Sequence, residues 1–189
     1  MYEVRLHGRG GQGAVMAAGI LAAAIVAEGR FAVSIPAFGF ERRGAPVVTF
    51  LRVDDREIRR MTNITDPDCV VCIDPTIARS VNVFAGLKDR GTLVQATSRA
   101  PGQVEVPELV GTVAVIDAIR IAREIFRRPI TNTLMLGAFS RVTGAVSLAA
   151  LKAAIADSEM RDANLEQNMT ALDRGYNEVE ILHRNRVAA

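Results

Sequence analysis

The chain has 189 residues, of which 49% are hydrophobic, and 23 basic side chains against 21 acidic ones give a net charge of +2. This composition can bury one sizeable core and excludes an intrinsically disordered protein. The near balance of charge argues against a general nucleic-acid or membrane-surface binder, and no run of about 18 apolar residues predicts a membrane span. Two cysteines cannot form the disulfide framework of a secreted protein, so we expect a cytoplasmic one.

The first part of the chain is dominated by predicted strands. Tyr2 to His7 alternates apolar and polar residues, which is typical of a strand and unlike a signal peptide. Ala14 to Glu28 is rich in Ala, Ile, Leu and Val and predicts a buried helix that stops at Gly29. Further strands are predicted at Phe31–Ile35, Val47–Val53, Cys69–Ile73, Thr92–Ala96 and Thr112–Ile116, with Arg56–Arg60 as a hairpin partner of Val47–Val53.

The last part of the chain has the periodicity of helices. The predicted helices are Ala118–Phe126 capped by Asp117, Leu134–Val142 between Thr131 and Gly144, a helix opened by Ser147, and Asp162–Leu182. Strand–helix alternation followed by helices predicts an α/β class, doubly wound: a mostly parallel sheet with helices on both faces and a helical C-terminus.

A glycine-rich run, GRGGQG, joins the first predicted strand to the first predicted helix and contains the G-x-G-x-x-G spacing. Glycines allow positive φ and close backbone approach, and the helix N-terminus behind them offers free N–H groups and a positive dipole end. The run therefore predicts a phosphate or pyrophosphate site; the alternative is a tight turn that only packs strand against helix. The ligand-binding residues expected here are Gly8, Arg9, Gly10, Gly11, Gln12 and Gly13, with Arg9 as a charged fork and Gln12 as a neutral donor.

The residues after the first helix bear on which phosphate ligand binds. A nicotinamide or flavin dinucleotide site usually has an acidic residue about 20 residues after the glycines, where it binds a ribose hydroxyl. Phe31 to Pro36 contains no acidic residue. Coenzyme A, which carries a diphosphate and a ribose phosphate, fits this pattern better.

The segment Ala37 to Pro46 is a second candidate, because it holds two glycines, two phenylalanines and the adjacent Arg42 and Arg43. The arginines suit a phosphate, whereas the phenylalanines suit docking of a partner subunit. The alternative is a solvated loop whose arginines pair with nearby acids.

Groups for catalysis or metal binding are missing from the sequence. Cys69 and Cys72 have C-x-x-C spacing, but residues three apart on a strand point to opposite faces, so we expect two buried, inert thiols. The ligands of a tetrahedral zinc site or of an iron–sulfur cluster are lacking, as is any Ser–His–Asp or paired-carboxylate arrangement. We therefore predict a binding component with neither catalytic residues nor a metal site of its own.

Four segments together resemble one known family. GRGGQG, FGFERRGAPV, Asp74-Pro75 and RPITNTLMLGAF occur in the order found in the gamma component of pyruvate:ferredoxin-type 2-oxoacid oxidoreductases. The resemblance covers most of the chain and implies a single gamma domain over residues 1–189. Within the family, SIPAFGFERRGAPVV and TLVQAT are most similar to the branch that converts phenylglyoxylate to benzoyl-CoA.

The resemblance implies a complex that decarboxylates a 2-oxoacid on thiamine diphosphate and Mg²⁺, passes electrons through [4Fe–4S] clusters and transfers the acyl group to coenzyme A. These cofactors are implied in the alpha, beta and delta partner subunits, and the phenylglyoxylate branch implies FAD in a further flavoprotein subunit that passes electrons to NAD. The terminal acceptor implied by the family as a whole is NAD or ferredoxin. This chain is implied to bind coenzyme A and to be inactive alone. The family's site carries over to the glycine loop, Arg42, Arg43 and Asn132, and the structural alternative for Asn132 is a second helix cap.

Competing functions stay open at this point. One is the gamma subunit of a pyruvate:ferredoxin oxidoreductase, which differs only in the oxoacid. Another is a free-standing dinucleotide-binding oxidoreductase, against which the missing ribose-binding acid speaks. A third is an assembly subunit whose glycine loop holds no ligand.

Overall fold

The computed structural model describes residues 1–37, 44–158 and 164–185. Within these ranges the strands are Tyr2–Arg9 (β1), Phe31–Ala37 (β2), Pro46–Asp54 (β3), Cys69–Cys72 (β4), Gly91–Ala96 (β5), Val110–Ile116 (β6) and Glu180–His183 (β7). The helices there are Ala14–Ala27 (α1), Ala118–Phe126 (α2), Asn132–Thr143 (α3), Leu148–Ala156 (α4) and Leu165–Glu178 (α5). The strands form one sheet in the order β2-β3-β1-β4-β5-β6-β7. No helix in the described ranges is long and apolar enough to cross a membrane.

The sheet is mixed, with a parallel centre and antiparallel edges. β1, β4, β5 and β6 run parallel, whereas β3 is antiparallel to β1, β2 to β3, and β7 to β6. The predicted α/β class and helical C-terminal part are confirmed, with fewer parallel pairs than expected. Because a parallel crossover needs about a dozen residues or more, the short connection from Ala37 to Pro46 allows only antiparallel pairing of β2 with β3.

Side chains on the two faces of the sheet enter two separate apolar clusters. Leu6, Val71 and Val94 pack on the side that carries α1 to α5. Alternate residues such as Val70 and Leu93 pack on the other side, beneath loops. Helices were expected on both faces, but the described helices contribute core residues to one face only. The connections after β4 and β5, which lie within the described range 44–158, contain no α-helix, only the short 3₁₀ turns Ile77–Arg79 and Pro101–Gln103. Gly86, Pro101 and Gly102 lie in these connections, and glycine and proline disfavour a helix.

The face without helices is held to its loops by buried arginines. Arg52 on β3 is 1% exposed, and its guanidinium donates to the carbonyl oxygens of Arg60 at 3.1 Å and Thr62 at 2.6 Å and pairs with Glu3 at 2.9 Å. Arg5 on β1 donates in the same way to the carbonyl oxygen of Val83 at 3.0 Å. The prediction of a hairpin strand at 56–60 is wrong, since no residue of this segment is in a strand and the Arg60 carbonyl accepts from Arg52 instead.

The C-terminal helix is shorter than predicted. α5 ends at Glu178, and Glu180–His183 forms strand β7 on the free edge of β6. The prediction of helix up to Leu182 is therefore wrong over its last residues, because backbone pairing with β6 outweighs the helical periodicity. The predicted stretch 159–163 lies outside the described residues.

Several helix ends follow the sequence prediction. Asp117 accepts from Arg120 N at 3.2 Å, Ser147 accepts from Ala150 N at 3.1 Å, and Gly144 ends α3 at φ 62°. Thr131 precedes α3 as predicted but does not cap it with its side chain. Its hydroxyl donates to Ile73 O at 3.4 Å, which fixes the start of α3 against the end of β4.

Two glycines let α3 and α5 pack with their backbones in contact. A Cβ atom on Gly137 would lie 2.1 Å from Leu172 O, and one on Gly175 would lie 2.0 Å from Leu134 O. Only glycine permits this approach, since real Cβ atoms essentially never come within 3.0 Å of another heavy atom. The contact positions α3, whose N-terminus borders the cavity described next.

Candidate functional site

A cavity of about 590 Å³ lies at the carboxyl ends of β1 and β4. From these two adjacent parallel strands the chain continues toward opposite edges of the sheet, and such switch points are where open α/β sheets bind ligands. The lining residues come from the glycine loop, from the turn after β4 and from the start of α3. They include Arg9, Gly10, Gly11, Gln12, Gly13, Gly44, Ile73, Asp74, Pro75, Ile119, Arg128, Pro129, Ile130, Thr131 and Asn132.

The glycine loop has the backbone conformation that its sequence predicts. Gly11 has φ 89° and Gly13 has φ 75°, a region that other residues avoid. Gly13 is also the N-cap of α1, so the free N–H groups of the first helical turn begin at the cavity wall. Gly10 N donates to Ala45 O at 2.9 Å, and Gly44 N donates to Gly10 O at 3.1 Å, which ties the loop to the chain before β3.

The side chain of Gln12 holds the loop in shape. Its Oε1 accepts from Arg9 N at 2.7 Å, and its Nε2 donates to Asp74 Oδ2 at 2.5 Å. We expected Gln12 to be a donor to the ligand, but the Nε2 bond goes to Asp74 on the neighbouring strand end. Gln12 thus couples the loop after β1 to the turn after β4.

Asp74 is the acidic residue of the cavity lining, and its charge is compensated by neighbours. Burial raises the pKa of Asp74, but hydrogen bonds from Thr76 and Gln12 and the charge of Arg9 outweigh burial, so the pKa lies below its usual value. Asp74 Oδ1 accepts from Thr76 N at 2.7 Å and lies 3.6 Å from Arg9 Nε. Arg9 also donates to the hydroxyls of Thr76 and Ser80, each at 3.0 Å. The ionised carboxylate therefore organises the wall, and Arg9 offsets its charge.

Two helix N-termini meet at the cavity. Asn132, the first residue of α3, is 3% exposed, and its Oδ1 accepts from Thr133 N at 2.9 Å. The Nδ2 of Asn132 would lie 2.6 Å from a Cβ atom on Gly13, so the two helix starts are in contact. Neither α1 nor α3 has an acidic residue in its first turn. Because Arg9 compensates Asp74, the two helix dipoles and the charge of Arg128 in the wall are what attract an anion to this cavity.

Most of the predicted site residues lie together. Arg9, Gly10, Gly11, Gln12, Gly13 and Asn132 line the cavity. Gly8 lies in β1 outside the lining; a Cβ there would be 3.2 Å from Ala14 Cβ, so Gly8 serves the close packing of α1 on β1. Arg42 and Arg43 lie outside the described residues, as do both phenylalanines of that segment.

Sequence reasoning missed the roles of Asp74, Arg128 and Thr131 in this cavity. Asp74 was assigned to a turn beside Pro75, although a polar residue directly after a buried strand is a signal for the carboxyl edge of a parallel sheet. Arg128 follows the end of α2, and its position next to the glycine loop depends on how that helix packs, which the local sequence does not encode.

The cysteines are buried, as predicted, and their side chains enter the clusters on opposite faces of the sheet. Burial raises the pKa of Cys69 far above its usual value and that of Cys72 to about 12. His7 at the end of β1 is also buried; burial and then the charge of Arg5 lower its pKa to about 4.

The strand order differs from that of a dinucleotide-binding fold. There, the strand after the first helix lies beside the first strand and presents the ribose-binding acid near the glycine loop. In this chain β3 separates β2 from β1, so the end of β2 is one strand further from the loop. Phe31 to Pro36 therefore has no acidic residue to bind a ribose, and the sheet order places β2 away from the glycine loop.

Fold and cavity together define an α/β protein with an anion-attracting cavity and, among the described residues, no paired acid and base beside it. Residues 3–178 match the family described as pyruvate ferredoxin/flavodoxin oxidoreductase. The chain belongs to this family and is a gamma subunit of a 2-oxoacid:ferredoxin oxidoreductase-type complex. It is therefore one part of a multi-subunit enzyme.

Three similar proteins are also subunits of 2-oxoacid oxidoreductases. The chain is 66% identical, over the full length of both proteins, to NADH-dependent phenylglyoxylate dehydrogenase subunit gamma of Aromatoleum evansii. It is 44% identical to the pyruvate/ketoisovalerate oxidoreductases common subunit gamma of Thermococcus kodakarensis, covering 96% of this chain and 98% of that one. The crystal structure of pyruvate oxidoreductase subunit PORC from Thermotoga maritima superposes with a TM-score of 0.82 at 37% identity, covering 95% of this chain and 97% of that one.

Proposed function

We propose that this chain binds the diphosphate of coenzyme A at the glycine loop, within a cytoplasmic complex that oxidatively decarboxylates phenylglyoxylate to benzoyl-CoA and reduces NAD. The observation that carries the proposal is the meeting of two helix N-termini at one cavity whose single acidic lining residue, among those described, is already paired. Helix N-termini bind phosphates through free N–H groups and dipole ends.

The residues of this chain are proposed to bind and orient the ligand. Arg9 N, Gly10 N and Gln12 N already donate within the chain, so the N–H groups of Gly11, Gly13 and the first turn of α1 are the donors suited to a diphosphate. Asn132 Nδ2 adds a donor from α3. Gln12 and Asp74 keep the loop in this conformation. The reactive thiol of coenzyme A would then extend from this wall toward a sister subunit.

The cofactors are proposed to reside in partner subunits. An iron–sulfur cluster takes four cysteine thiolates, whereas this chain has two cysteines, buried on opposite faces. We therefore assign the [4Fe–4S] clusters to alpha, beta and delta subunits, and the resemblance to the family suggests the same subunits for thiamine diphosphate and Mg²⁺ and a flavoprotein subunit for FAD. Support for phenylglyoxylate as the oxoacid is the higher identity to the phenylglyoxylate enzyme's gamma subunit than to the pyruvate/ketoisovalerate one, 66% against 44%.

Replacing one atom of Asn132 tests the binding proposal. In Asn132→Asp the remaining Oδ1 can still accept from Thr133 N, but a charged oxygen replaces Nδ2 at the cavity wall. We expect the apparent KM of the assembled complex for coenzyme A to rise about tenfold or more, since a lost donor and a repulsive charge cost about 1.4 kcal/mol or more. The KM for phenylglyoxylate should stay the same.

Asn82→Asp is the matched control. The Asn82 side chain is exposed and also accepts a backbone N–H, that of Phe84 at 3.1 Å, but it is not among the residues that line the cavity. This variant should leave both KM values unchanged. A rise in the KM for the oxoacid in Asn132→Asp, with that for coenzyme A unchanged, would show that the ligand assignment is wrong.

The identity of the oxoacid substrate is tested by comparing oxoacids with the purified complex. Phenylglyoxylate should be converted with a higher kcat/KM than pyruvate or 2-oxoglutarate, with benzoyl-CoA as product. A preference for pyruvate would make this the gamma subunit of a pyruvate-type enzyme and leave the coenzyme A proposal standing.

A further inference from the structure

A second cavity, an open depression of about 550 Å³ on the exposed surface of α2, adjoins the first. Ile119 lines both cavities, so the two share a wall. The second cavity is lined by Asp117, Ile119, Arg120, Arg123, Glu124 and Arg127. Arg128, the next residue along the chain, lines the first cavity.

Three arginines at this junction have no acidic partner within residues 1–37, 44–158 and 164–185. Arg120 pairs with Glu124 at 2.8 Å and belongs to a surface ion network. Arg123, Arg127 and Arg128 are exposed, and none of them has an ion pair with a described acidic residue. The cluster is thus a source of unneutralised positive charge immediately beside the anion-attracting cavity.

The backbone at Arg127 supports a role for its side chain. Arg127 ends α2 in the left-handed conformation, with φ 58° and ψ 15°. Glycine is the residue that adopts this helix-ending conformation without strain, so arginine at this position costs stability. The backbone therefore does not favour arginine at position 127, and its exposed side chain has no ion pair with a described acidic residue.

We propose that Arg123, Arg127 and Arg128 form a second phosphate subsite, which binds the 3′-phosphate of coenzyme A. This inference rests on the proposed function, because it places the diphosphate at the glycine loop. The 3′-phosphate is one ribose ring away from the diphosphate, and Arg123 and Arg127 lie one and two turns of α2 beyond Ile119, a rise of about 6 and 12 Å. The arginine forks match a phosphate in geometry and charge. The subsite therefore selects coenzyme A over 3′-dephospho-coenzyme A.

The test compares these two thiols in the assembled complex. The wild-type kcat/KM should be about tenfold or more higher for coenzyme A than for the dephospho form, as expected for a charge-assisted contact. Arg127→Gly and Arg123→Gln should each lower kcat/KM for coenzyme A and leave the value for the dephospho form unchanged. Because glycine suits the backbone at position 127, Arg127→Gly should also raise the Tm of the chain, which separates lost binding from lost folding.

Arg90→Gly is the matched control, because Arg90 has a similar φ of 62° but lines neither cavity. Its discrimination between the two thiols should equal that of the wild type. Asn132→Asp, measured in parallel, should raise the KM for both thiols, since both carry the diphosphate.

Three results would contradict the second subsite or the proposed function. Equal kcat/KM for both thiols in the wild type, or unchanged discrimination in Arg127→Gly and Arg123→Gln, would overturn the subsite even where Asn132→Asp supports the diphosphate site. Loss of assembled complex in the arginine variants would mean that the cluster docks a partner subunit. No effect of Asn132→Asp on either thiol would reject the proposed function itself.

Discussion

Replacing Gly175 by alanine tests the backbone contact between α3 and α5. The new Cβ atom would lie 2.0 Å from Leu134 O and 2.8 Å from Leu134 C. Both are backbone atoms, so a change of side-chain rotamer cannot relieve the clash. The helices must therefore separate by about 1 Å at a place where Gly137 makes the reciprocal contact. Overpacking of this kind costs about 1–3 kcal/mol, and the backbone obstacle puts Gly175→Ala at the upper end.

Alanine also has a better helix propensity than glycine by about 1 kcal/mol, so the net destabilisation should be about 2 kcal/mol. For a chain of this size that corresponds to a fall in Tm of roughly 4–8 °C. The measurement is urea and thermal unfolding of the full chain, followed by circular dichroism.

Gly19→Ala in α1 is the matched control. Gly19 is exposed and helical, and a Cβ there meets no atom within 4 Å, so the same substitution should stabilise by about 1 kcal/mol. The two variants thus differ in the sign of their effect. An unchanged or higher stability of Gly175→Ala would refute the close contact between the helices.

Three further outcomes are expected. His7 has a pKa of about 4, below its unfolded value of about 6.5, so the folded state resists its protonation. The contribution of His7 to stability should be complete above pH 6.5 and fall by roughly 3 kcal/mol toward pH 4, and unfolding curves of His7→Gln should lose less stability over this range by about that amount. Glu3→Gln should destabilise by about 2–3 kcal/mol in urea, because Arg52 stays buried without its counter-charge, while the same change at Glu57, whose partner Arg59 is exposed, should have little effect. Both thiols should be inert to a disulfide reagent in the native chain and react after unfolding; fast native labelling of Cys72 would contradict its raised pKa.

The parts of the fold that local chemistry specifies could be predicted. β1, the glycine loop and α1 follow from an alternating run, a cluster of glycines and an apolar helix, and each is confirmed. The caps at Asp117 and Ser147 follow from their side chains. Asn132 was assigned to the site only through the resemblance to a family, because its contact with Gly13 joins residues that are more than a hundred positions apart.

The errors arose where tertiary contacts decide. Glu180–His183 has a helical apolar pattern but pairs as a strand with β6, whose edge would otherwise be unpaired. The sequence of residues 56–60 is typical of a hairpin strand, but the carbonyl oxygen of Arg60 accepts a hydrogen bond from the Arg52 guanidinium on β3. Asp74 beside a proline suits a turn, and its role became visible only once β4 was seen next to β1. In each case the competing partner lies on another element of the sheet.

The buried arginines on the face without helices limit which mutations the loops over that face can accept. Arg52 and Arg5 contact main-chain oxygens of residues 60, 62 and 83, and every residue type supplies such an oxygen. Substitutions in these loops therefore leave the anchoring intact, whereas insertions or deletions would shift the oxygens out of reach. This side of the subunit can therefore vary in side-chain chemistry as long as the loop length is constant.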